Sequence, residues 1–85
     1  MDILISNKAG KQLGDLPKTV QNAIRQIFLE LQEKGLEARI DLKKLKGFPD
    51  HYRLRVGDYR ARFEFEKPDT LKIYWIGKRS KAYND

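Results

Sequence analysis

Two periods divide the apolar positions of this chain. Ala9 and Leu13 are four apart, and Val20, Ile24, Ile27, Phe28 and Leu31 continue at helical spacing. From Tyr52 onward the spacing becomes two: Tyr52, Leu54 and Val56 alternate with Arg53 and Arg55, and Tyr59, Ala61, Phe63 and Phe65 alternate with Arg60, Arg62, Glu64 and Glu66. The first half therefore predicts helices and the second predicts strands. Ile3-Leu4-Ile5 reads as a short buried strand ahead of them.

Punctuation residues set the boundaries. Ser6 or Asn7 is suited to cap the first helix, and Gly14 ends it. Pro17 fits the first turn of the second helix, which Gly35 stops. Gln21, Arg25, Gln26, Glu30 and Glu33 make its polar side. Residues 36–50 read as a charged connector ending in a basic loop that contains Lys43, Lys44 and Lys46. Gly57-Asp58 predicts a two-residue hairpin turn, with glycine supplying the positive φ. Pro68-Asp69 marks the next turn. Leu71 to Gly77 is apolar on both faces around Tyr74-Trp75, which predicts a central strand. The tail 78–85 has room for one helical turn. The expected fold is α+β: one domain over residues 1–85, ordered β-α-α-β-β-β, with both helices packed on one face of a mainly antiparallel twisted sheet.

Composition narrows the chemistry. A chain of 85 residues holds one small core. There is no cysteine, and His51 is the only histidine, so thiol catalysis and zinc sites built on Cys or several His are excluded. No cofactor or metal is expected. No apolar run nears the roughly 20 residues of a membrane span. The start, Met1-Asp2-Ile3-Leu4-Ile5, lacks the form of a signal peptide, so a cytoplasmic location is expected. The formal net charge is +6. It is not spread evenly, because basic and acidic residues cancel over residues 1–42. The excess lies wholly in residues 43–85, which suits a polyanionic partner.

The hairpin concentrates that charge. With Gly57 and Asp58 as the loop, Val56 pairs with Tyr59, Arg55 with Arg60 and Arg53 with Arg62. Residues two apart share a face, so four guanidinium groups stand together, opposite the apolar side chains that face the helices. Like charges facing across a ladder destabilise it, and such local costs mark functional sites. The planar fork of arginine binds phosphate oxygens in two-pronged fashion. The alternative is a solvated strand face balanced by Glu64, Glu66 or an acidic partner.

These residues carry a family resemblance. Lys44-Leu45-Lys46-Gly47-Phe48-Pro49-Asp50-His51-Tyr52-Arg53-Leu54-Arg55, then Gly57-Asp58-Tyr59-Arg60, then Ile76-Gly77-Lys78-Arg79 with Tyr83, resemble the RelE branch of the RelE/ParE toxin superfamily. The likeness implies the toxin of a type II toxin–antitoxin pair. It implies a metal-independent endoribonuclease that cuts mRNA in the ribosomal A site and so inhibits translation. The messenger's 2′-hydroxyl attacks the adjacent phosphorus, leaving a 2′,3′-cyclic phosphate and a 5′-hydroxyl. By the same likeness, Arg53 and Arg55 form the basic pair of the first hairpin strand, and Arg60 stabilises the pentacoordinate phosphate. Arg79 serves the leaving group and Tyr83 stacks on a base. Lys43, Lys44, Lys46, Arg62 and Lys78 are RNA-binding candidates. The implied partners are the ribosome with its mRNA and a RelB-like antitoxin, acidic and partly disordered.

Two departures from that branch matter. Its best-known members carry lysines where this chain has Arg53 and Arg55, and arginine does not give up its proton. His51, which shares strand parity with them, is then a candidate general base, against the alternative of an ordinary surface histidine. The spacing from Arg79 to Tyr83 is also shorter. Two other readings use the same scaffold: a ParE-like toxin that inhibits gyrase by binding, and an RNA-binding relic without strong catalysis.

Overall fold

A computed structural model describes residues 1–35 and 40–81, with the side chain of Lys81 outside the description. The chain runs through β1 (Asp2–Ile5), α1 (Asn7–Gly14), α2 (Lys18–Lys34), β2 (Asp41–Lys44), β3 (His51–Val56), β4 (Tyr59–Glu66) and β5 (Thr70–Lys78), then a 3₁₀ turn at Arg79–Lys81.

The helix signals act largely as read. The Ser6 hydroxyl accepts from the Ala9 N–H at 3.0 Å, satisfying one of the orphan donors of α1. Gly35 ends α2 at φ 61°, with its N–H on the Leu31 carbonyl. Pro17 sits one residue earlier than expected, as the cap itself rather than inside the first turn. Ile24, Phe28 and Leu31 are buried, with Val20 and Ile27 packed beside them. Gln21 departs from its polar assignment. It is 7% exposed, and its amide donates to the carbonyls of Gly14 (3.2 Å) and Leu16 (2.8 Å). It thus stitches the α1–α2 turn, whose carbonyls no helix satisfies.

The sheet has five strands in the order β1-β5-β4-β3-β2, with β1 parallel to β5 and every other pair antiparallel. Both helices cover one face. There Ala9, Leu13, Ile24, Phe28 and Leu31 meet Leu54, Ala61, Phe63, Leu71, Ile73 and Ile76. Tyr52 and Phe63 stack across β3 and β4 on this inner side, with centroids 5.4 Å apart. Each fully buried large side chain contributes roughly 1.5–3 kcal/mol relative to exposure.

Two strand expectations need correction. The stretch assigned to a connector contains β2, so Lys43 and Lys44 lie on a strand and only Lys46 lies in the loop. β2 is a four-residue edge strand with Leu42 as its half-buried apolar residue, too short to show a period. β5 is internal but not central, since β4 occupies the middle. Its apolarity on both sides has a local cause. Arg62 pairs with Trp75 and Phe63 with Ile73, so Tyr74 is an extra residue in β5. This bulge puts both Tyr74 and Trp75 on the outer face.

Candidate functional site

The outer face of β3 and β4 carries the arginines in the expected register: Arg53 opposite Arg62, and Arg55 opposite Arg60. Gly57 makes the turn at φ 59°. The four side chains are not equivalent. Arg53 and Arg60 are buried, 4% and 3% exposed, whereas Arg62 is half-buried and Arg55 is open to solvent.

Three devices hold the four charges. The Arg60 guanidinium donates from Nη1 to the carbonyls of Gly57 (2.8 Å) and Tyr59 (2.9 Å), so the turn that creates the hairpin also fixes this cation. Asp41, at the start of β2, places its carboxylate between Arg53 (3.6 Å) and Arg55 (3.5 Å). Arg62 lies over the Trp75 ring, 5.7 Å from its centroid. That ring in turn lies on Gly77, where a Cβ would meet it at 2.7 Å. These contacts offset the like-charge cost within the ladder. Asp41 and Trp75 were missed as parts of the site because β2 and the bulge were not visible in the sequence pattern.

The remaining candidates fall around this row. Lys43 pairs with Arg53 and shares its face, whereas Lys44 pairs with Tyr52 and belongs to the opposite parity. Lys46 is exposed in the following loop. Lys78 ends β5 opposite Tyr59, and Arg79 begins the 3₁₀ turn, both exposed. The Arg79 N–H donates to the Asp58 carbonyl at 2.8 Å, tying the tail to the hairpin turn. A shallow cavity of about 350 Å³ lies there, bounded by Asp58, Tyr59, Lys78, Arg79 and Ser80. Tyr83 lies outside the described residues.

His51 sits at the other end of the row. It pairs with Glu64, four register positions from the Arg55–Arg60 pair, or roughly 13 Å along the strand. Both ring nitrogens are engaged: Nδ1 is 3.1 Å from the Tyr74 hydroxyl and Nε2 is 3.6 Å from Glu64. Burial, as the leading cause, raises the Tyr74 phenol above its ordinary range. Among the described residues, no group of three or more His, Cys, Asp or Glu could hold a metal ion.

Comparisons with known proteins bear on the fold and the family. Residues 3–83 match the family described as "ParE toxin of type II toxin-antitoxin system, parDE". The chain is 33% identical over 86 residues to Toxin RelE3 of Methanocaldococcus jannaschii, covering 99% of this chain and 97% of that one. The chain belongs to the RelE/ParE family of type II toxin–antitoxin toxins. Two solved structures of this RelE-like fold are close: a RelB-RelE antitoxin-toxin complex from Methanococcus jannaschii (TM-score 0.81, 31% identity, 91% of each chain) and an archaeal RelE-RelB complex from Pyrococcus horikoshii (TM-score 0.79, 28% identity, 95% of this chain and 97% of that one). The RelE-like α+β architecture, with two helices on a mostly antiparallel five-stranded sheet, accounts for the order of elements here.

Proposed function

We propose that this toxin is a metal-independent endoribonuclease that cuts mRNA on the ribosome and is held in check by a cognate antitoxin. The observation that carries this reading is the fixed arginine row. Cleavage by the messenger's own 2′-hydroxyl requires the phosphate's nonbridging oxygens to be stabilised as charge builds on them. Donors already in place cost no reorganisation at that moment. Arg60 is such a donor group, buried and anchored by two backbone carbonyls. In this reading Arg53, Arg55 and Arg60 hold the reacting phosphate, Arg79 serves the leaving 5′-oxygen, and Tyr83 stacks on a base. Arg62, Lys43, Lys46 and Lys78 bind the flanking RNA backbone, and Lys44, on the opposite parity at the sheet edge, contributes only charge nearby.

The proton acceptor depends on where the phosphate sits. A phosphate at Arg53 and Arg62 lies two residues from His51, and His51→Ala then slows cleavage. A phosphate between Arg60 and Arg79 leaves that variant active. The test of the whole reading is primer extension on mRNA with purified ribosomes. Codon-phased cuts are expected, falling about a hundredfold or more in Arg60→Ala. Intact mRNA with blocked DNA supercoiling would instead favour a gyrase-directed toxin, a reading kept in play by the ParE description of the matched family.

A further inference from the structure

The arginine row ends in a different kind of chemistry. At its far end His51 stands opposite Glu64, roughly 13 Å from the Arg55–Arg60 pair. There a groove of about 590 Å³ opens on the outer face, bordered by Phe48, His51, Arg62, Glu64 and Tyr74. Its volume falls within the range of roughly 300–1,000 Å³ typical of ligand sites. Three rings meet beside it: the His51 centroid is 5.5 Å from Tyr74 and 6.0 Å from Phe48. Phe48 is 62% exposed, yet its loop is firmly held. The Leu45 N–H donates to the His51 carbonyl (2.8 Å), and the His51 N–H donates to the Phe48 carbonyl (3.2 Å). Asp50 takes φ 62°, the one positive φ outside glycine among the described residues, and its carbonyl accepts from the Phe65 N–H at 2.7 Å. A held, strained loop that leaves a large ring in water marks a surface built for a partner.

We infer that this groove is a base subsite, which seats the second nucleotide upstream of the cut and in which Glu64 selects guanine. The inference rests on the nuclease reading above, with the reacting phosphate at Arg55 and Arg60. In that reading Arg79 serves the leaving 5′-oxygen, so the downstream strand lies beyond the hairpin turn. The upstream strand then runs along the row toward His51. Successive arginine pairs are two residues apart, roughly 6.8 Å, close to the step between phosphates of an extended single strand. The next phosphate upstream therefore meets Arg62. One step further the row offers the Glu64 carboxylate, which repels a phosphate. The backbone turns away there, and the base faces the rings. Stacking on aromatic side chains is how unpaired RNA bases are commonly held. The carboxylate then decides which base. Guanine alone among the four presents two adjacent N–H donors on its Watson–Crick edge, N1–H and the 2-amino group, and a carboxylate accepts both side by side. Adenine and cytosine set a ring acceptor against it, and uracil sets two carbonyls. Glu64 has the capacity for this: its side chain is 46% exposed, and its 3.6 Å contact with His51 is longer than a hydrogen bond. Lys72 also borders the groove, but its ammonium is bound to Glu66.

The test is cleavage, on purified ribosomes, of messages that differ only at the second nucleotide upstream of the cut. The parent chain should cut the guanine message about tenfold or more faster, as kcat/KM, than the adenine, cytosine or uracil message. Glu64→Gln should bring that ratio below about threefold, since an amide no longer accepts from both donors. Phe48→Ala should raise KM about fivefold or more for all four messages, because stacking is shared by every base. Each ratio is taken within one variant, so a loss of folded protein cancels. If the parent cuts all four messages equally, or if Glu64→Gln keeps the guanine preference, the inference falls while the nuclease reading stands. If both variants cut as the parent does and instead lose affinity for a small acidic protein encoded beside this chain, the groove is a protein site and the inference falls. If the parent cuts no message, the nuclease reading and this inference fall together.

Discussion

Arg60 has little freedom left: its head is buried, and two carbonyls of its own hairpin hold it. Arg60→Ala should lower the unfolding free energy by about 1.5–3 kcal/mol, because charge-assisted hydrogen bonds are lost and two carbonyls lose their donor. Denaturant titration checks this, separately from any loss of cleavage. Gly77 is a second constrained position. Gly77→Ala would drive a methyl into the Trp75 ring. Displacing the ring should cost about 1–3 kcal/mol and shift the tryptophan emission. Tyr74 carries a pH effect. Its phenol is raised chiefly by burial, so above pH ~10 the unfolded chain ionises first while the folded chain resists. The folded state then binds more protons, and stability falls as pH rises through that window. Lys72, raised first by its hydrogen bond to Glu66, works in the same direction. Tyr74→Phe should flatten the alkaline fall, measured by denaturant unfolding between pH 8 and 11.

At the scale of elements, the chain is legible where a period is long enough to read. The α2 stripe, the Ser6 cap, the Gly57-Asp58 turn and the pairing of four arginines all follow from spacing. β2 does not, because four edge residues show no period. The Tyr74 bulge does not either, since it changes side-chain parity without changing composition. These two features supply Asp41 and Trp75, which explains why the arginines were readable but their restraints were not. Asp41→Asn should therefore loosen Arg53 and Arg55 with little effect on the fold. The Arg55 pair is half exposed on both sides and worth about 0–1 kcal/mol, and solvent at the half-exposed Asp41 also screens its pull on the buried Arg53. Faster exchange at the β2–β3 ladder, with an unfolding midpoint nearly unchanged, is the expected outcome.

For the whole molecule, a +6 excess confined to the second half becomes a one-sided field once β3 and β4 pair. Binding to single-stranded RNA should weaken steeply with salt. Four phosphate contacts give a slope near −2.8 in log affinity against log salt, or about fiftyfold between 50 and 200 mM. Fluorescence anisotropy with a short RNA measures this, and a flat dependence would show that the arginines do not meet phosphates. The parallel pairing of β1 with β5 has a consequence in time as well. Asp2 finds its register opposite Thr70. Synthesis runs from the N-terminus, so the first strand made waits for the last. A ribosome translating this message has assembled at least 70 residues before that pair can begin to form. The five-stranded sheet is therefore completed only once β5 has been made, so the fold that presents the arginine row closes late in synthesis rather than strand by strand.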